Sequence, residues 1–217
     1  MQLLDVLRQE HDLIEEVLGS LRAFVDLRAR GAGEASDAAG FLAFFTDFAG
    51  GYHHAREEDV LFPALVDEAE LPSETGPLRA LRDQHHALAG TLAALGPLLG
   101  SDLANASDRT RLIELATSYS QALWAHIDAE NSVLLPESEK RLRRVSVLEL
   151  VDRPPRADEL AARHAGERLR TRYPAMHDRD AVRGDGCVVC ASFGVTCDGL
   201  EREWWNESEW EEFPDHL

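Results

Sequence analysis

The feature that most constrains the fold is an internal repeat of long helical segments. The stretch "HHAREEDVLFP" begins at His53, and "HIDAENSVLLP" begins at His126. In this register a histidine, a glutamate, a valine, a leucine and a proline recur at matching positions. A second pair, "LRQEHDLIEEVLGSL" and "LRDQHHALAGTLAAL", aligns His11 with His85. The repeat therefore predicts two helical hairpins of one design.

Hydrophobic periodicity supports the same architecture. Apolar residues recur every three or four positions in four long segments, which is the period of an amphipathic α-helix. Segments rich in glycine, serine and proline separate them at 30–37, 70–77 and 96–108. Short loops between long helices favour antiparallel neighbours. We predict an all-α fold, with an antiparallel up-down-up-down four-helix bundle over residues 1–145.

The repeat also decides which of two adjacent histidines faces the bundle core. Glu57 aligns with Glu130 only when His53, rather than His54, is matched to the fourth helix. His54 lies about 100° further round an α-helix, so it is interpreted as a surface or supporting residue, as is His86. The side chains predicted to share the core are His11, His53, Glu57, His85, His126 and Glu130.

Neighbouring acidic residues are assigned to the surroundings of this cluster. Glu58 and Asp59 are interpreted as a solvated face. Glu10 and Asp12 are expected to support His11 from outside.

Six ionisable side chains in one core require partners. A buried, unpaired carboxylate costs several kcal/mol, which is a large part of a typical stability of about 5–15 kcal/mol. Four imidazoles and two carboxylates exceed the needs of one structural zinc ion, and magnesium or calcium would prefer oxygen ligands. The set fits two iron ions bridged by the two carboxylates, with positions left for a bridging oxo or hydroxo group and a small ligand.

At these residues the sequence resembles the hemerythrin family, specifically the bacterial hemerythrin-like HHE cation-binding domains. The motifs are "EH" in the first helix, "HHxxEExxLFP" in the second, "xxHH" in the third and "HxxxExxxLLP" in the fourth, over residues 1–144. The resemblance implies an antiparallel four-helix bundle with a non-haem di-iron centre. It implies the same six ligands.

One position departs from the oxygen-carrying members of that family. They have a second histidine one turn after the third-helix ligand, and here that position is Ala89. The site is therefore expected to be symmetric and to contain four histidines. In this it resembles bacterial hemerythrin-like proteins linked to nitric-oxide stress and to repair of iron–sulfur clusters.

Composition limits the partners and the compartment. The net charge of −18 argues against nucleic acid and against an anionic membrane. The sequence contains no run of about 18 apolar residues, so no transmembrane helix is predicted. The N-terminus lacks the basic start and small-residue cleavage site of a signal peptide. We expect a cytoplasmic protein.

Residues 146–217 are predicted to form an extension. It comprises a proline-containing linker, a fifth helix over 157–172, a Cys-x-x-Cys segment and an acidic tail rich in tryptophan. Cys187, Cys190 and Cys197 suit zinc or another metal, a redox pair or inert thiols, and their spacing does not choose among these. The tail is expected to pack over the bundle, or to contact a protein partner or a second copy of the chain.

The favoured function is a di-iron protein that binds or processes dioxygen, peroxide or nitric oxide, in stress or iron handling. One alternative is an enzyme of that chemistry, a peroxide- or nitric-oxide-processing oxidoreductase. Another is a redox- or iron-sensing regulatory module that acts through the C-terminal cysteines without catalysis. A metal-free structural bundle is the remaining alternative.

Overall fold

The computed structural model describes residues 1–175, and every regular element within them is helical. Helix α1 is Gln2–Ala29, α3 is Gly76–Leu99 and α5 is Ala157–Arg172. Helix α2 covers residues 38–67 in four consecutive segments: Ala38–Ala43, Phe44–His54, Glu57–Leu61 and Phe62–Asp67. Helix α4 covers residues 106–144 as Ala106–Ala129, Glu130–Leu134 and Leu135–Arg144. The all-helical prediction is confirmed, whereas the predictions for Cys187, Cys190, Cys197 and the tryptophan-containing tail concern residues outside the described range.

Helices α2 and α4 depart from α-helical geometry where the repeated motifs lie. The segments Phe44–His54, Glu57–Leu61 and Glu130–Leu134 are π-helical. Their hydrogen bonds run from residue i to i+5, so each residue turns through less than the 100° of an α-helix. Residues that are adjacent in sequence consequently lie nearer to one face. Such segments are frequent at functional sites.

The core consists of two apolar clusters with a polar layer between them. The smaller cluster includes Leu7 and Leu81, and the larger includes Ile14 and Leu88. In α1 and α3 the histidine of the repeat lies between these pairs along the chain. The repeat's histidines and glutamates are therefore held by apolar packing on both sides.

Helix α5 packs against α1 and α2 and contributes to the larger cluster. Two glycines permit this close approach. A Cβ at Gly166 would overlap the ring of Phe44, and one at Gly40 would lie 2.9 Å from Leu169 Cδ1. Bulkier residues at either glycine would separate the helices.

Polar contacts fix both ends of α5. Arg153 donates to Glu159 at 2.8 Å, and this hydrogen bond lowers the pKa of the glutamate. At the other end the Tyr173 hydroxyl donates to Asp37 at 2.6 Å. The segment after the bundle is therefore tied to it by packing and by hydrogen bonds.

None of the described helices is both long enough and apolar enough to cross a membrane.

The α5 interface makes a testable prediction. Gly166→Ala should lower the melting temperature, because the overlap with Phe44 costs about 1–3 kcal/mol and exceeds the gain in helix propensity of about 1 kcal/mol. Gly90→Ala is the matched control, since a Cβ there meets nothing within 4 Å, and it should keep or raise the melting temperature. Thermal denaturation followed by circular dichroism measures both. Equal effects would contradict the described packing.

Candidate metal centre

The six side chains that the repeat places in the core are brought together in the polar layer, and all six are buried. Each of α1 and α3 supplies one histidine, and each of α2 and α4 supplies a histidine and a glutamate. Ligand-type atoms of these six side chains and of His54 form two overlapping groups, and the four atoms of each group lie within 4.8 Å of one another. The first group is His11, His53, Glu57 and Glu130, and the second is His54, Glu57, His85 and His126.

Glu57 lies between the two groups and presents one oxygen to each. Its Oε1 is 3.4 Å from His53 Nε2 and 3.9 Å from His11 Nε2. Its Oε2 is 3.6 Å from His85 Nε2. This is the arrangement expected of a carboxylate that bridges two cations.

Glu130 faces the same centre from α4. Its Oε2 lies 3.2 Å from His11 Nε2 and 3.3 Å from His126 Nε2. Its Oε1 lies 4.0 Å from His85 Nε2. No carboxylate oxygen of Glu57 or Glu130 has a hydrogen-bond partner among the described residues, although all four are buried.

The histidines are oriented by acceptors on their outer nitrogens. The Nδ1 atoms of His11, His53, His85 and His126 pair respectively with Asn131 (2.8 Å), Glu10 (2.9 Å), Glu58 (2.6 Å) and Gln84 (2.8 Å), in each case with a side-chain oxygen. An oxygen acceptor places the proton on Nδ1 and leaves the Nε2 lone pair free. All four imidazoles therefore present an electron pair to the centre.

These acceptors occupy matching positions in the two halves of the internal repeat. Glu10 and Gln84 each precede the histidine of α1 or α3 and each supports the histidine of the following helix. Glu58 and Asn131 each follow a glutamate of the centre and support the histidine of α3 or α1. At each pair of positions the first half of the chain has a carboxylate and the second half has a side-chain amide. The duplicated unit thus includes the supports as well as the inner residues.

The contact between His85 and His126 fits a cation bound beside it. Their Nε2 atoms are 3.0 Å apart, and both Nδ1 atoms carry the proton that Glu58 and Gln84 accept. Two lone pairs at that distance repel unless a positive charge lies beside them. Burial lowers the pKa of both imidazoles, so an added proton is a poor source of that charge.

The carboxylates lead to the same conclusion. Burial, and then the charge of Glu130, raises the pKa of Glu57 well above its ordinary value, and burial does the same for Glu130. Without a counter-ion, burial favours the protonated form of each carboxyl group. Metal–ligand bonds of about 2.0–2.2 Å place opposite ligands of one ion about 4 Å apart, which matches the compact groups. The donor set and its free electron pairs fit metal ions.

His54 corrects the sequence interpretation. It was expected at the surface or as a support, but its side chain is only 8% exposed and it joins the second group. Its ring stacks on His85 with centroids 3.9 Å apart. The π-helical turn explains the error, because it brings His53 and His54 nearer to one face than the 100° rotation allows. The two groups therefore contain five histidines, where four were expected from the sequence.

The sequence contained a signal for this inward position. In the repeat His54 aligns with Ile127, an apolar residue that is buried in α4. Only the identity of the side chain differs between the halves. His86, by contrast, is exposed, as expected.

Two assignments of acidic neighbours were also wrong. Glu58 is half-buried and holds His85, instead of belonging to a solvated face. Glu10 supports His53 rather than His11, because its side chain reaches across to α2, while Asp12 is exposed.

A buried arginine completes the surroundings of His53. Arg56 is fully buried, pairs with Glu10 and lies over the ring of Tyr52 at 3.9 Å. It also donates to Asp152 at 2.8 Å, which connects the segment after the bundle to the centre. Burial raises the pKa of Glu10 to about 7 despite the opposing effect of Arg56.

Comparisons with known proteins agree with the motifs and the geometry. The family model described as the hemerythrin HHE cation-binding domain matches residues 2–138. No curated protein and no solved structure matches the chain. The matched region covers α1 to α3 and nearly all of α4, including every residue of the two groups. The chain therefore belongs to the hemerythrin HHE cation-binding domain family.

Proposed function

We propose that this chain is a non-haem di-iron protein that binds or processes a small ligand such as dioxygen, peroxide or nitric oxide. The observation that carries the proposal is the set of four buried carboxylate oxygens without hydrogen-bond partners, which face inward imidazole nitrogens. An N/O donor set for two cations, drawn from four helices, suits iron better than a closed zinc site. Bound iron would supply redox centres and coordination positions for the small ligand.

In this proposal His11, His53 and Glu130 would hold the first ion, and Glu57 would serve both ions. His54, His85 and His126 would hold the second, so its third imidazole would come from α2, since α3 has Ala89 at the position one turn after His85. The four outer acceptors keep the rings in place, and the two apolar clusters limit access of water.

Metal content tests the proposal directly. Protein purified without added metal should contain about two irons per chain. Its near-ultraviolet and visible spectrum should show ferric bands that change on addition of azide or nitric oxide. A content of one zinc per chain and no iron would contradict the di-iron assignment.

The role of His54 has a matched control in His86. His54→Ala should weaken metal at the second group by at least about tenfold, since even the loss of a supporting residue costs 10–100-fold. The iron content should fall from two toward one. His86→Ala removes an exposed imidazole from α3 and should retain two. Competition with a chelator, read by bound iron, measures both; retention of both irons by His54→Ala would show that His54 is not a ligand.

The buried carboxylates predict a pH dependence of the metal-free protein. Because the folded-state pKa of Glu57 is raised, the folded state binds more protons than the unfolded state above about pH 4.3. Glu57 therefore costs stability progressively as pH rises from there toward its raised value. Glu57→Gln has no titrating carboxyl group at this position, so it avoids this cost. The difference in melting temperature between Glu57→Gln and wild type should therefore grow in favour of the variant from pH 5 to pH 8, by the equivalent of about 1–3 kcal/mol.

A control variant and a measurement of iron content accompany this experiment. The exposed Glu68→Gln removes a carboxylate without burial and should not reproduce the pH-dependent gain. With iron supplied, Glu57→Gln should reduce the iron content. A Glu57→Gln protein that is less stable than wild type across the whole range when metal-free would contradict the account of the buried carboxylate.

A further inference from the structure

A cleft of about 750 Å³ lies between α2 and α3 and ends at His54 and His85. Pockets of about 300–1,000 Å³ typically bind organic molecules of drug size. A water molecule takes about 30 Å³ in the liquid, and a diatomic ligand is of similar size. The cleft is therefore far larger than the proposed small ligand needs.

Small residues open the cleft on both sides. Thr46 and Gly50 lie on its α2 side, and Ala89 and Ala93 lie on its α3 side. The aromatic ring of Tyr119 from α4 also lines it. Ala89, the position at which the oxygen carriers have a histidine, thus contributes open space beside His85.

The internal repeat shows that this space belongs to one half of the molecule. In α4 the residues at the corresponding positions are bulky, and all of them are buried. Thr46, Gly50 and His54 of α2 align respectively with Tyr119, Leu123 and Ile127 of α4. The aligned positions therefore carry large buried side chains in α4, whereas α2 has a threonine, a glycine and a histidine there.

The end of the cleft is polar and selects the chemistry of an occupant. Glu58, Asp59 and His86 line it near His54. No lysine or arginine is among the described residues that line the cleft. Carboxylates only accept hydrogen bonds, so they favour a donor and repel an anion. His54 itself is more than nine-tenths buried, and its ring stacks on that of His85.

We propose that the cleft binds an elongated, mostly apolar organic molecule whose polar end is a hydrogen-bond donor, a hydroxyl or an ammonium group. The chain of the molecule lies between α2 and α3, and its polar end lies beside Glu58 and His54. The placement of that end next to a metal ion rests on the proposed function. Occupancy of the cleft by the organic molecule does not.

The test uses straight-chain 1-alkanols, primary alkylamines and carboxylates of four to ten carbons, titrated into the full-length protein by calorimetry. Burial of each added methylene should tighten binding of alkanols and alkylamines by about fourfold until the chain fills the cleft. The carboxylate of equal length should bind at least tenfold more weakly. Absence of binding, affinity independent of chain length, or a preference for carboxylates would each overturn the inference.

Paired glycine variants locate the site. Gly50→Leu places in the cleft the side chain that Leu123 supplies in the other hairpin, and a Cβ at Gly50 meets only Phe45 O at an ordinary 3.5 Å. It should weaken octanol and octylamine at least tenfold. Gly90→Leu, on α3 but outside the lining, should leave both affinities unchanged. Ala93→Leu adds a side chain on the α3 side of the cleft and should weaken the same two ligands. It replaces Gly50→Leu in the test if that variant fails to fold.

Metal content of the same samples separates the two proposals. If Gly50→Leu keeps wild-type iron and loses octylamine, the cleft is a distinct binding site. Binding of octylamine by a protein that contains no iron would support ligand binding in the cleft and would contradict the proposed di-iron function. Equal affinities for wild type, Gly50→Leu and Gly90→Leu would place the ligand elsewhere and overturn the inference.

Discussion

The structure depends on the burial of two glutamates whose carboxylate oxygens have no hydrogen-bond donor within residues 1–175. Glu57 and Glu130 lie in a layer between two apolar clusters, where an unpaired charge costs several kcal/mol. The nearest polar atoms are imidazole nitrogens that carry lone pairs, because the outer nitrogens hold the protons. Acceptors that converge on acceptors are stabilised by a cation. The fold thus surrounds a site that favours a positive charge, and the described side chains around Glu57 and Glu130 do not supply that charge.

Duplication explains how the frame is assembled. Each hairpin contributes two histidines, one glutamate and two outer acceptors at matching positions, so the two halves form complementary halves of one centre. Departures from the duplication are then informative. His54 in place of an isoleucine, and small residues in place of Tyr119 and Leu123, fall together on the α2–α3 side. The asymmetry adds an imidazole and open space next to the same metal group.

Much of this could be predicted from the sequence because apolar periodicity and a repeated motif report directly on helical faces. The helical class, the bounds of α5 and the convergence of six core side chains follow from those patterns. His54 could not be placed in the same way, because the prediction assumed α-helical rotation and the local helix is π-helical. The supports at Glu10 and Glu58 depend on contacts between helices, which periodicity within one helix does not encode. The buried pairing of Arg56 with Asp152 likewise depends on how the segment after the bundle folds back.

The central claim is that two metal ions lie beside Glu57 and Glu130, with Glu57 common to both groups of ligands. Anomalous diffraction at the iron absorption edge, from crystals of protein prepared without added metal, tests it most directly. The account predicts two peaks about 3.5–4 Å apart, as in other two-metal sites, one contacted by His11 and His53 and the other by His54, His85 and His126. A single peak, a signal only at the zinc edge, or no peak between the two glutamates would contradict it.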